Sequence, residues 1–245
     1  MKFRVVDARS FSYLFRVVYE FLDEAVIRAN KEGILLSGKD PSKAVYLEIF
    51  LPAGYFEGYE LEKDEEIVGF NLEEFTDILK KVMKDDSIQL ETTKDRVRLI
   101  LDGEYERAFE IPILSAGEVE KSSLTIELPF RSKLLTAVFA DIIDELSELG
   151  ESIIFESKEG KLYIKSEGDI SSSIIELSTE NGGLLESEGP DASSIYSIKY
   201  VYNTIKMRNS SDTVEIRFGT QLPLRLRYEL PQGGYGDFYI APRIE

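Results

Sequence analysis

The chain has 245 residues, no cysteine, no histidine and a formal net charge of −17. Those absences exclude disulfides, Cys/His zinc sites, thiol nucleophiles and histidine-based triads. The charge argues against nucleic acid as a partner of the surface as a whole, yet it does not say where the 29 lysines and arginines stand.

Asp7 precedes the first expected helix, which runs to about Leu22 with Phe11, Leu14, Phe15, Val18 and Leu22 on one stripe. Strands are expected at residues 26–30 and 34–37, joined at Lys31-Glu32-Gly33, a hairpin signal, and then at 44–50 and 66–70. A helix carrying Leu72, Phe75 and Leu79 follows, and strands at 87–92, 96–101 and 105–111 end the first half. Residues 115–123 are small, polar and without period, as an exposed linker would be. The second half repeats the series. Its first helix is placed on Leu135, Val138, Phe139, Ile142 and Leu146, which sets Lys133 opposite Arg9. Its hairpin is placed at 153–157 and 162–166 around Lys158-Glu159-Gly160, with a short insertion before it. Strands at 172–178, 194–198, 213–218, 223–229 and 238–241 complete it, and Gly233-Gly234-Tyr235-Gly236 is read as a loop.

The second helix and the strand after it recur without a gap. Leu72, Phe75, Leu79 and Lys80 match Ile198, Val201, Ile205 and Lys206, and Asp86 matches Asp212, all 126 residues apart. Two similar domains are therefore expected, in an α+β fold: 1–114, a connection at 115–126, and 127–245. Each holds two helices packed on antiparallel sheets. The core each would need is consistent with 43% hydrophobic residues. The opening Met1–Asp7 has no apolar leader and no run reaches the length of a membrane span, so a soluble, cytoplasmic protein is expected.

Away from the apolar stripes stand Arg9 and Arg16, then Lys80, Lys81 and Lys84, then Lys199, Lys206 and Arg208. Any one such face reads as solvated lysines and arginines. Four helices set side by side would instead make a basic stripe that touches phosphates without reading bases. Carboxylate groups at Asp64-Glu65-Glu66, Glu73-Glu74 and Asp85-Asp86 are read as solvent-facing or as favouring a helix dipole. No phosphate-loop motif occurs, and no catalytic residue, cofactor or metal is expected.

The chain resembles the sliding clamp family of proliferating cell nuclear antigen in its archaeal form. The resemblance is carried in order by Lys31-Glu32-Gly33-Ile34, Asp40-Pro41-Ser42, Leu51-Pro52 with Phe56 and Tyr59, and Gly69-Phe70-Asn71-Leu72. It continues through Glu127-Leu128-Pro129-Phe130, Leu222-Pro223-Leu224 and Ala241-Pro242-Arg243-Ile244-Glu245. It implies a trimeric ring around double-stranded DNA that tethers other enzymes and has no catalysis of its own. It implies that Lys80, Lys199 and Lys206 face DNA; Arg9, Arg16, Lys81, Lys84, Lys133 and Arg208 are added from the faces described above. It implies a groove for short peptides of the form Q-x-x-hydrophobic-x-x-aromatic-aromatic at Ala44, Val119, Pro223, Tyr239, Ala241 and Pro242, with Lys39 at the rim. It implies partners: two further clamp subunits, identical or homologous, a clamp loader, DNA polymerase, flap endonuclease and DNA ligase. It implies strand-edge contacts at 104–114 and 171–179. A checkpoint-type clamp and an acidic scaffold that encircles nothing are the other readings.

Overall fold

A computed structural model describes residues 1–115, 126–168 and 170–243. Most of the expected connection, including Val119, lies outside the described residues, as do Ile244 and Glu245. The chain divides into two compact units, Met1–Pro41 with Leu47–Ser122 and Leu230–Tyr235, and Ser42–Tyr46 with Ser123–Glu229 and Gly236–Glu245.

The first half runs β1 (Lys2–Val5), α1 (Ala8–Tyr19), β2 (Glu24–Asn30), β3 (Gly33–Lys39), β4 (Val45–Pro52), β5 (Tyr59–Glu60), β6 (Glu65–Asn71), α2 (Leu72–Leu79), β7 (Ser87–Thr92), β8 (Arg96–Asp102) and β9 (Arg107–Pro112). Its strands follow the orders β5-β1-β7-β8-β9 and β4-β3-β2-β6. The second half runs β10 (Phe130–Leu135), α3 (Thr136–Ser147), β11 (Ser152–Lys158), β12 (Lys161–Glu167), β13 (Ser172–Leu177), β14 (Glu186–Glu188), β15 (Ala192–Ser197), α4 (Ile198–Thr204), β16 (Thr213–Phe218), β17 (Leu224–Leu230) and β18 (Gly234–Ile240). Its orders are β14-β10-β16-β17-β18 and β13-β12-β11-β15. Matched element by element, the two pairs of orders are the same. The duplication seen in one helix and one strand therefore extends to the whole topology.

Three expectations of register are corrected. Ala8 and Thr136, Glu24 and Ser152, and Gly33 and Lys161 open equivalent elements, all 128 residues apart. The first helices therefore match at 128 rather than 124, and no insertion precedes the second hairpin. Phe11, Leu14, Phe15 and Val18 correspond to Phe139, Ile142, Ile143 and Leu146, all buried, while Leu135 and Val138 are exposed. Gly234–Gly236 belong to β18 rather than to a loop.

Local chemistry places the helices. The Asp7 carboxylate accepts from Ser10 N at 3.0 Å and starts α1, and the Asn71 side chain accepts from Glu74 N at 3.0 Å and starts α2. Glu73 and Glu74 fall in the first turn of α2, where acids favour the dipole. In the first unit the rings of Phe11, Phe15, Phe75 and Phe70 follow one another at 4.7, 4.8 and 4.6 Å. The buried Ser12 hydroxyl donates to Leu79 O at 3.1 Å and joins α1 to the end of α2. In the second unit Phe218 lies 5.1 Å from Phe130 and 6.1 Å from Phe155. Each buried ring contributes a few kcal/mol through removed apolar area, roughly 3–5 kcal/mol lost on truncation to alanine.

Asp85 is exposed, as expected, but Asp86 is not. Its carboxylate accepts from Met83 N at 2.7 Å and pairs with Arg107 of β9. A buried carboxylate demands such partners, so Asp86 is a structural residue.

Candidate nucleic-acid and peptide interfaces

The candidate cations divide by environment. Arg9 on α1 and Lys199 on α4 are exposed, and so is Lys84, which stands in the turn beyond α2 rather than on it. Among the described residues these three make no ion pair. Arg16 is half-buried, its guanidinium 5.4 Å from the centre of the Tyr13 ring. Lys80 closes α2 and meets Asp77 at 2.7 Å, an exposed pair whose hydrogen bond holds the Asp77 carboxyl below its ordinary value. Lys81 donates to Asp77 O at 3.0 Å. Lys206 and Arg208 stand on the 3-10 turn after α4, and Arg208 meets Asp141 of α3 at 2.9 Å.

Lys133 does not align with Arg9 in the repeat. It lies on β10, on the face opposite the buried Ser132 and Leu134, and its ammonium meets Glu229 at 2.8 Å. At the true offset Arg9 corresponds to Ala137 and Arg16 to Asp144. The sequence set Lys133 opposite Arg9 in the repeat because an apolar stripe at helical spacing matches itself after a shift of one turn.

Of the residues expected at the peptide groove, Ala44, Pro223, Tyr239, Ala241 and Pro242 fall in the second unit. Ala241 N donates to Ala44 O at 2.8 Å, which brings the chain end beside the start of β4. The Tyr46 and Tyr239 rings lie 6.0 Å apart. Pro223 precedes β17, the neighbour of β18, and is half-buried like Ala44, Tyr239 and Pro242, while Ala241 is exposed. Lys39 ends β3 of the first unit and is exposed. Arg225 of β17 is a neighbour that sequence reasoning missed. It meets Asp237 at 2.8 Å, and its guanidinium stands 5.5 Å from the Tyr239 ring centre. The period-two alternation of β17 and β18 was the available signal.

Among the described residues six strands end the sheets, including β9 in the first unit and β13 in the second. Beside or on them stand exposed apolar side chains, Tyr105 at 55% and Ile174 at 65%. An open strand edge with exposed apolar residues invites pairing with another chain.

Two family models match the chain: proliferating cell nuclear antigen, N-terminal domain, over residues 1–112, and its C-terminal domain over 132–243. The chain is 54% identical to DNA polymerase sliding clamp 3 of Sulfurisphaera tokodaii, over the full length of both. It is 53% identical to DNA polymerase sliding clamp 2 of Saccharolobus solfataricus, again over 100% of both. Among solved structures it is similar to a chain of a PCNA2–PCNA3 complex from Sulfolobus tokodaii, with a TM-score of 0.95 at 55% identity and full coverage of both chains. It is also similar to PCNA from Thermococcus kodakaraensis, with a TM-score of 0.92 at 30% identity over 99% of each chain. The chain belongs to the proliferating cell nuclear antigen family of DNA polymerase sliding clamps.

Proposed function

We propose that this chain is one subunit of a three-membered ring that encircles duplex DNA and tethers replication and repair enzymes to it. It works as a processivity factor without turnover of its own, in the cytoplasm at the nucleoid. The carrying observation is 54% identity, end to end, with a DNA polymerase sliding clamp. Residues 1–114 and 127–245 form the two clamp domains, with 115–126 between them.

The duplication supports a head-to-tail joint. β9 and β18 are equivalent strands, and so are β4 and β13. Within the second unit the end of β18 already meets the start of β4, through Ala241 N and Ala44 O at 2.8 Å. β9 and β13 are the copies that pair on one side only and end their sheets among the described residues. Pairing β9 of one chain with the β13 edge of the next repeats the same joint between subunits and closes a ring if the rotation suits. Residues 104–114 hold three acids and one base, and 171–179 hold one acid and no base. Acid facing acid penalises a joint between copies of one chain, which favours homologous sister subunits. The PCNA2–PCNA3 complex of the similar chain supports the same reading.

Arg9, Lys84, Lys199 and the neighbouring cations then line the duplex, and the groove of Ala44, Pro223, Tyr239, Ala241 and Pro242 takes the tethering peptides of polymerase, flap endonuclease and ligase. The mass of the chain in solution tests the assembly. A monomer or dimer alone that gives a three-chain ring with sister clamps is expected. A stable trimer of this chain alone would overturn the heterotrimer, and no ring with any sister would overturn the clamp reading.

A further inference from the structure

We propose that Arg225 is a positioning residue for peptide capture: clamped by Asp237, it holds the Tyr239 ring as a preset wall of the groove. The proposal rests on the groove reading above. Asp237 and Tyr239 stand two apart on β18, so both side chains leave the same face of the sheet. β17 is the neighbouring strand and brings Arg225 alongside both. The Arg225 Nε and Nη2 donate to the two Asp237 carboxylate oxygens at 3.1 and 2.8 Å, a two-pronged geometry that fixes the guanidinium plane. That plane lies within cation–π range of Tyr239, 5.5 Å from the ring centre. Tyr46, which is buried, gives Tyr239 an aromatic neighbour besides Arg225.

Asp237 is 4% exposed, so the pair is taken out of water. An apolar pair of the same volume would serve stability as well. What the ion pair adds is direction: a fixed charge that keeps one ring face in one place. An incoming apolar anchor then meets a wall that loses no further side-chain freedom on binding.

The test titrates a fluorescent peptide of the form Q-x-x-hydrophobic-x-x-aromatic-aromatic into the full chain. Arg225→Met is expected to weaken binding about three- to tenfold, the scale of a partly desolvated cation–π contact. Combined with Tyr239→Leu, it is expected to add nothing to the loss from Tyr239→Leu alone, a coupling that general loosening would not produce. Should Arg225→Met not fold, Arg225→Lys, which keeps the charge without the fork, decides in the same way. Unchanged binding by the Arg225 variant, or a loss that adds in full to that of Tyr239→Leu, would overturn the proposal. Unchanged binding by Tyr239→Leu would instead overturn the groove reading.

Discussion

Glycine in the two hairpins looks like one motif and is held by two different causes. In Lys31-Glu32-Gly33 the glycine has φ +147°, and a Cβ there would stand 2.2 Å from Leu51 O and 2.6 Å from Pro52 Cα. Its carbonyl also accepts from the Tyr59 hydroxyl at 2.9 Å. In Lys158-Glu159-Gly160 the glycine has φ +76°, and a Cβ would meet nothing within 4 Å. Gly160→Ala therefore brings only the left-handed strain, about 1 kcal/mol. Gly33→Ala adds a backbone collision and is expected to cost several times that, of order 3 kcal/mol or more. Thermal denaturation of the two single variants measures the gap, and equal losses would refute the steric account. The same detail explains the slip in register. The motif aligns glycine with glycine 127 residues apart, whereas the strands align Gly33 with Lys161, 128 apart. Turn chemistry tolerates glycine at either place, so the letters matched where the backbone did not.

Elements were legible where the pattern could not slide. The block from α2 to β7 matches α4 to β16 at 126 residues because helix, turn and strand differ from one another along its length. α1 offered only a stripe, and a stripe repeats every turn. β1, β5, β10 and β14 were missed: β1, β5 and β14 span four residues or fewer, and β10 starts soon after the expected connection. The edge strand β9 was foreseen, but what anchors it was not. Arg107 at its start donates to Lys81 O at 2.9 Å and pairs with Asp86, whose side chain is 2% exposed. One side chain thus ties the open edge to the turn after α2. Arg107→Met would leave that carboxylate buried without its cation, at a cost of about 3–5 kcal/mol. The double variant Arg107→Met with Asp86→Asn removes the stranded charge and is expected to recover part of the loss in denaturant unfolding. If the double variant is no more stable than the single one, Asp86 is not the source of the penalty.

On the proposed ring reading, the whole molecule must reconcile a charge of −17 with a polyanion at its centre. The arrangement of cations resolves the conflict. Lys80, Arg208 and Lys133 each face an acid, Asp77, Asp141 and Glu229 respectively. Their charge is met within the chain, and exposed pairs such as Lys80–Asp77 and Arg208–Asp141 contribute little to stability. Arg9, Lys84 and Lys199 make no ion pair among the described residues, so their fields reach outward. In the proposed ring few such cations would suffice, because closure rather than affinity would retain the DNA, and many phosphate contacts would impede sliding. Each phosphate contact adds about 0.9 to the salt slope of binding. Two triple variants separate these roles while removing the same charge from the chain. Arg9→Gln, Lys84→Gln and Lys199→Gln together are expected to lower polymerase stimulation by the assembled ring and flatten its salt dependence. Lys80→Gln, Lys133→Gln and Arg208→Gln together are expected to lower it less and to leave the salt slope nearly unchanged. Equal effects of the two triples would show that overall charge alone governs DNA contact, and that position on α1, on α4 and beyond α2 does not.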